Sequence, residues 1–422
     1  MIRFREVLKD RNFLLLWLGQ VISNFGDRLT QMALVALVYQ RTPGSALALA
    51  KLISFTIIPV FIIGPIAGAW VDRLNKKSTM IISDIFRGIF ILSIPLFIHL
   101  NQILLIYFVA FLTFSISRFF IPSKMAIIPN IVSRDKLLVA NTLSDTTHMI
   151  GNIVGLVAAG VIVNIPRIGA VGGFYIDAAT FFVSAGLIAM IIQREFVKDV
   201  AEDLKTTREA FGNSIRRSIV GEIKEGFGYF AKYKNMHFIV YVFFLLMAGI
   251  GAMSCVTIVF IQDAFGTATR DLGFLGMFLA GGLFLGTLFY GRFGQRLEKR
   301  TMILASFVAS GIFLILFTIF VKGYPNLLVA GIFSGLLGAA VSPITVSTNT
   351  LTQEMIPEDM RGRIFSSLEV VIHLAFLVFM FLAAYISKCV DRFWILIATG
   401  VVFSVSGLAG IFLEGRRRAN YP

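Results

Sequence analysis

Histidine, cysteine and tryptophan are scarce in this 422-residue chain, at four, two and three residues. Two cysteines cannot build a disulfide framework, and both fall in or at the end of apolar stretches. Charge is scarce too: 15% of residues are charged, against roughly 25% in soluble domains. Acidic residues are the scarcer sign, 24 against 38 basic ones, for a net charge of +14. No glycine-rich phosphate loop, metal-ligand cluster or nucleophile triad occurs, so no cofactor is expected and an enzyme is not. No polar stretch is long enough to fold into a nucleotide-binding domain, which argues against an ATP-driven pump.

Apolar residues are abundant. They make up 57% of the chain, with 42 phenylalanines and a mean hydropathy of +0.83. A single soluble core cannot hide that much apolar surface, so the bilayer must be the solvent for most of it. One span needs about 20 apolar residues. Twelve such stretches occur, at roughly 13–40, 45–71, 78–99, 102–128, 137–163, 169–193, 236–262, 270–291, 301–321, 325–350, 364–388 and 392–413. They are apolar throughout rather than alternating, which predicts helices and not a barrel. The expectation is an all-α membrane protein of twelve transmembrane helices in two six-helix bundles, residues 1–193 and 236–422, joined by a linker at 194–235. The first stretch is too long for a signal-peptide core and is kept as the first span.

A basic balance can signal nucleic acid, but here the Lys and Arg residues sit in loops on alternate sides. The termini and the loops near 72–77, 129–136, 194–235, 292–300 and 352–363 hold 28, counting Lys124; the opposite loops hold six. The positive-inside rule then places both termini in the cytoplasm of a bacterial inner membrane. No nucleic-acid partner is expected, and a monomer is the default. Within the polar segment 193–235, Val220 to Tyr233 could form an amphipathic surface helix. The halves look repeated. Gly68-Ala-Trp-Val-Asp72-Arg73-Leu-Asn-Lys76-Lys77 is echoed by Gly291-Arg-Phe-Gly-Gln295-Arg296-Leu-Glu-Lys299-Arg300, 223 residues later, and Asp135 by Asp359, 224 later. Parallel six-helix repeats suggest a rocking transporter.

Gly68-x-x-x-Asp72-Arg73-x-x-Lys76-Lys77 resembles the loop 2–3 signature of the major facilitator superfamily. Phe25-Gly26-Asp27-Arg28, Asp84-x-x-Arg87, Pro122-Ser-Lys124 with Ala140-Asn141, and Pro357-Glu-Asp-Met-Arg361-Gly-Arg363 resemble its drug:proton antiporter branch, which includes macrolide-efflux and siderophore-export proteins. The Phe-Gly-Asp and Pro-Ser-Lys stretches also resemble bacterial lysophospholipid transporters. The sequence departs from the pattern twice. Asn75 stands where the family has a loop glycine, and the fifth span keeps Gly151 and Gly155 but loses the antiporter signature's proline. Those glycines, four apart, would let helices approach closely. The resemblance implies that Gly68, Asp72, Arg73 and Lys76 hold one conformation of an alternating-access cycle.

Ionisable side chains inside a membrane are costly and mark sites or pairs. In the fifth span, Asn141, Asp145, His148 and Asn152 are spaced 4, 3 and 4 and share one face. Gln20, Asn24, Asp27 and Gln31 repeat that spacing in the first span. Two such stripes suggest the walls of one water-filled cavity. Asp145 is the first candidate proton carrier, with His148 one turn away to relay or tune it. Asp27 is the second, and its neighbour Arg28 points to a different face. Glu369, 224 residues after Asp145, is the repeat counterpart, with His373 one turn on. Arg118 could be a counter-ion for Asp27 or Asp145, or an anchor for an anionic group. Asp84 and Arg87 are expected to pair within the third span in a structural or gating role. Asp177 is read as a helix-start residue near the outer end of the sixth span. Together these residues predict a secondary transporter, a proton-coupled exporter of amphipathic small molecules, with lysophospholipid movement or siderophore export as alternatives.

Overall fold

The computed structural model describes residues 4–64, 67, 74–133, 136–192, 234–294, 298–355 and 361–420. Among these the chain forms thirteen helices and no strand. They are α1 (Phe4–Leu8), α2 (Arg11–Arg41), α3 (Ala46–Ile62), α4 (Lys76–His99), α5 (Ile103–Ile131), α6 (Leu137–Asn164), α7 (Gly169–Ala189), α8 (Lys234–Phe265), α9 (Arg270–Phe293), α10 (Lys299–Gly323), α11 (Leu327–Met355), α12 (Arg361–Ile386) and α13 (Arg392–Asn420). Helix is the expected outcome where every backbone polar group must be satisfied within its own segment. Nine of the described helices are long and apolar enough to cross a membrane, α4 to α11 and α13, and shorter apolar helices run over Ala46–Val60 and Val370–Ile386. Large apolar side chains stand exposed along them, among them Leu104, Phe289 and Leu328. This is the surface a lipid-embedded bundle presents. The five-residue α1 was not anticipated. Gly68, Asp72, Arg73, Asp135, Asp359 and the linker up to residue 233 lie outside the described residues.

The chain divides into two compact units, Met1–Gln40 with Lys51–Ser218, and Arg41–Ala50 with Ile219–Pro422. In the first, α4 packs on α5 and α7, and α6 packs on α7. Phe13, Leu16, Met80, Phe120, Ile127 and Ile188 form a buried cluster there. Asn75 accounts for its own departure from the family glycine, because it caps α4. Its Oδ1 accepts from the Ser78 N–H at 3.1 Å, satisfying an orphan donor of the first turn. Lys77 reaches across to donate to the carbonyls of Ala189 and Ile191, both at 2.8 Å. A cation at a helix C-terminus suits both the unmet carbonyls and the macrodipole. Asn12 completes the clamp by donating to Ile192 O at 2.8 Å and accepting from its N–H at 2.9 Å.

In the second unit, α8 packs on α12 and α13, α9 on α11, and α10 on α11 and α13. At the α9–α11 crossing a Cβ on Gly282 would strike the backbone of Gly335, so only glycine fits there. Arg300 stands 223 positions after Lys77 and lies 3.6 Å from Glu414 on α13. The α10–α13 link thus matches the α4–α7 link, with a carboxylate in place of two carbonyls. Arg392, at the start of α13, donates to Asp263 at 2.5 Å and to the carbonyl of Gly44, whose φ of +73° suits glycine.

Candidate functional site

In α2 the small residues Gly19 and Gly26 face α7. A Cβ on Gly19 would lie 3.1 Å from Ser184 Oγ, and one on Gly26 would collide with Asp177 and Thr180. This approach carries the next residue, Asp27, to α4, where Arg87 Nη2 donates to Asp27 Oδ1 at 2.7 Å. Arg87 Nη1 lies 3.4 Å from Asp84 Oδ1, so one guanidinium serves two carboxylates. Asp84 is fully buried and Arg87 nearly so, whereas the Asp27 side chain is 33% exposed. The guanidinium lies over the ring of Phe181 at 4.0 Å, with Phe120 at 5.8 Å. Aromatic faces suit a cation that has lost its water. Arg118 of α5 is half-buried, 3.4 Å from Ser117 Oγ, and acts electrostatically on both Arg87 and Asp27.

Asp177 belongs to the same cluster, which corrects the expectation of a helix-start residue. α7 begins at Gly169, and Asp177 sits inside it with no exposed surface. Its Oδ1 accepts from Thr180 Oγ1 at 3.2 Å, and among the described residues no donor makes a well-formed hydrogen bond to its Oδ2. The sequence signal was a third polar stripe, Asp177, Thr180 and Ser184, at spacings of 3 and 4 in an otherwise apolar helix.

The two predicted stripes meet only along their edges. α2 and α6 are joined by Trp17 Nε1 donating to Thr147 Oγ1 at 2.9 Å and by Ser144 Oγ donating to Gln20 Oε1 at 3.1 Å. Gln20 is thus buried in that seam. Asn24 is half-buried, and Gln31 is exposed and accepts from Arg28 at 2.6 Å. Gly155 receives the side chain of Arg28, whereas nothing lies within 4 Å of a Cβ on Gly151. Close packing on α6 is therefore at Gly155 and not at Gly151. Asn141, Asp145 and His148 are exposed beside the seam, and Asn152 is half-buried with an Oδ1 that has no partner among the described residues. Asp145 has no ion pair among the described residues. Asp145, Lys124, Arg28 and Asp27 all act electrostatically on His148. Lys76 opens α4; His373 is half-buried on α12, and Glu369 lies on that helix with its side chain outside the described residues.

The site is thus a buried network of one guanidinium and two carboxylates inside a bundle of apolar helices. The chain is similar to macrolide efflux protein A of Streptococcus pyogenes, 22% identical over 408 residues that cover 96% of each protein. It is also similar to the MFS-type transporter YfiS of Bacillus subtilis (strain 168), 24% identical over 85% of this chain and 83% of that one. Among solved structures, a bacterial homologue of the iron transporter ferroportin in an inward-facing state shares the fold, with a TM-score of 0.71, 15% identity and coverage of 95% and 98%. The model of the Major Facilitator Superfamily matches residues 16–266 and 242–421, and the chain belongs to that family of transporters.

Proposed function

We propose that this transporter exports amphipathic small molecules in exchange for protons by alternating access. The observation that carries the reading is the Arg87–Asp27 pair on two helices of the first unit, because a shared guanidinium can re-pair when a carboxylate gains or loses a proton. The likeness to a macrolide efflux protein supports export. α2, the two shorter apolar helices and the nine longer ones make twelve spans, with both termini cytoplasmic in a bacterial inner membrane. The bundles are residues 1–193 and 236–422, linked by 194–235. Asp145, Asp27, His148 and Glu369 carry or relay protons. Gln20, Asn24, Gln31, Arg118, Asn141, Asn152 and His373 line the substrate path, and Gly68, Asp72, Arg73, Lys76, Asp84 and Arg87 govern the conformational step. The membrane potential contributes about 2.3 kcal/mol per charge per 100 mV, so one exchanged proton sustains a useful substrate gradient.

The test is uptake of a fluorescent lipophilic cation into inside-out vesicles under an imposed proton gradient. Wild type should accumulate the dye, a protonophore should abolish accumulation, and Asp145→Asn should fold but not accumulate. Full accumulation in Asp145→Asn removes it as a carrier.

A groove in the second unit favours lysophospholipid as a second reading. It encloses about 560 Å³, is lined by Phe244, Phe379, Leu382, Trp394 and Val402, and adjoins a polar pocket holding Lys322, Asp391 and Arg392 at Val390. That order matches an acyl chain followed by a headgroup. Movement of labelled lysophospholipid in the absence of any dye transport would select it.

A further inference from the structure

Three aspartates converge on Arg87, and their charges do not cancel. Asp27 and Asp84 lie within salt-bridge distance of it. Arg118 supplies a second cation that acts on Asp27. Asp27 and Asp84 thus each have a guanidinium acting on them. Asp177 is left over: it has no exposed surface, and among the described residues no cation stands within salt-bridge distance of it. An ionised carboxylate with neither water nor a counter-ion is strongly disfavoured, as any uncompensated buried ion is.

Of the groups around Asp177, Asp27 opposes a negative charge there, as burial does, whereas Arg87 and the Thr30 and Thr180 hydroxyls support one. Thr30 of α2 faces it, and the Thr30 hydroxyl, like Asp177 Oδ2, is buried without a well-formed hydrogen bond. From its own helix Thr180 donates to Oδ1. From α2 and α4, Asp27 and Arg87 act on it as charges, and through Arg87 so does Asp84. From α5, Arg118 acts on Asp27 and Arg87. From α6, His148 interacts with Asp27 and Asp145, and also with the cations Lys124 and Arg28. Arg87 Nε is also buried and has no partner among the described residues. Loss of the Asp177 proton would create the acceptor that this N–H lacks. Phe181, one turn beyond Asp177, holds the guanidinium over its ring while it turns.

We propose that Asp177 is a further store for the exchanged proton, which Asp27 and Asp145 relay, as a neutral acid facing Thr30, and that its release switches Arg87 from Asp27 to Asp177. The assignment deepens the proton-exchange reading and rests on it for its role in transport. The step is a simple acid dissociation. The O–H bond of the Asp177 carboxyl breaks, its electron pair stays on the carboxylate, and the proton passes to water at the partly exposed Asp27. Asp27, freed from Arg87, can then take a proton or a cationic substrate.

Infrared difference spectroscopy on the purified full-length protein, carboxyl-labelled with ¹³C-aspartate, tests the protonation by itself. Through a pH ramp, wild type should show the carbonyl stretch of a buried protonated aspartate. The band should vanish in Asp177→Asn and persist in Asp84→Asn and Asp145→Asn. A band that survives in Asp177→Asn, or vanishes in Asp84→Asn alone, overturns the proposal. Should Asp177→Asn fail to fold, Thr30→Val provides the check: loss of the facing hydroxyl should move the band, and an unmoved band overturns the assignment. In proteoliposomes, Asp177→Asn should lose proton-driven accumulation of ethidium yet keep gradient-free ethidium exchange, and wild-type accumulation in that variant again overturns the proposal. Wild type that never accumulates ethidium while the band behaves as expected sinks the export reading and upholds the proton store.

Discussion

Arg87 and Asp27, sixty residues apart, meet at 2.7 Å and join α4 to α2 through charge rather than through apolar packing. Removing the cation leaves the fully buried Asp84 without its counter-ion and Asp27 with only Arg118 and water. Arg87→Ala should therefore destabilise the protein by about 3–5 kcal/mol, the usual cost of breaking a buried pair. Arg87→Lys should recover part of this, since an ammonium can serve one carboxylate but lacks the fork that serves two. Thermal unfolding in detergent provides the measurement, and an unchanged midpoint in Arg87→Ala would show the pair to be dispensable.

Gly26→Ala should be costly at a position that looks permissive in sequence. Its Cβ would collide with Asp177 and Thr180, and overpacking of this kind costs about 1–3 kcal/mol. The same substitution in an Asp177→Ala, Thr180→Ala background should cost much less, because both obstructing side chains are gone. A double-mutant cycle reads the difference; simple additivity would contradict the contact.

Lys77 secures the end of α7 through two carbonyls. Lys77→Met keeps the alkyl stem and deletes the charge, so it should cost about 1–3 kcal/mol, the range for charged hydrogen bonds. Faster amide exchange localised to residues around 189–192 is the expected signature. Arg300→Met should act likewise at Glu414, but more weakly, since that pair is longer at 3.6 Å and both partners are partly exposed.

The two cysteines separate topology from burial. Cys389 is exposed in the turn before α13 and Cys255 is buried in α8. A membrane-impermeant maleimide added to intact cells should label Cys389, and the Cys389→Ser variant should label only after unfolding. Labelling confined to inverted vesicles would reverse the proposed orientation.

Helix positions were legible because apolar length is a local property. The window 137–163 became Leu137–Asn164, and 270–291 became Arg270–Phe293. Helices outran their windows where a polar end continues the hydrogen-bond ladder, as in α11, which runs to Met355. Periodicity also found the polar faces of α2 and α6. It did not reveal what each face meets. Gln20 shares the spacing of Asn24 and Asp27, yet it is buried against Ser144 while Asp27 turns to α4. Neighbouring helices decide that, and they are remote in sequence. Asp177 was read as a helix-start residue for a related reason. Its importance comes from Gly26, which lets α2 approach α7 closely enough to bury a carboxyl, and no spacing within α7 encodes that approach.

The indole of Trp17, bonded to Thr147, makes the seam between the first and fifth spans optically visible. The chain has only three tryptophans, and Trp394 stands exposed on the apolar surface. With Trp70 and Trp394 replaced by phenylalanine, emission would come from one reporter built into the hydrogen bond itself. Its colour and lifetime would then follow each opening of that joint during turnover, without an attached dye.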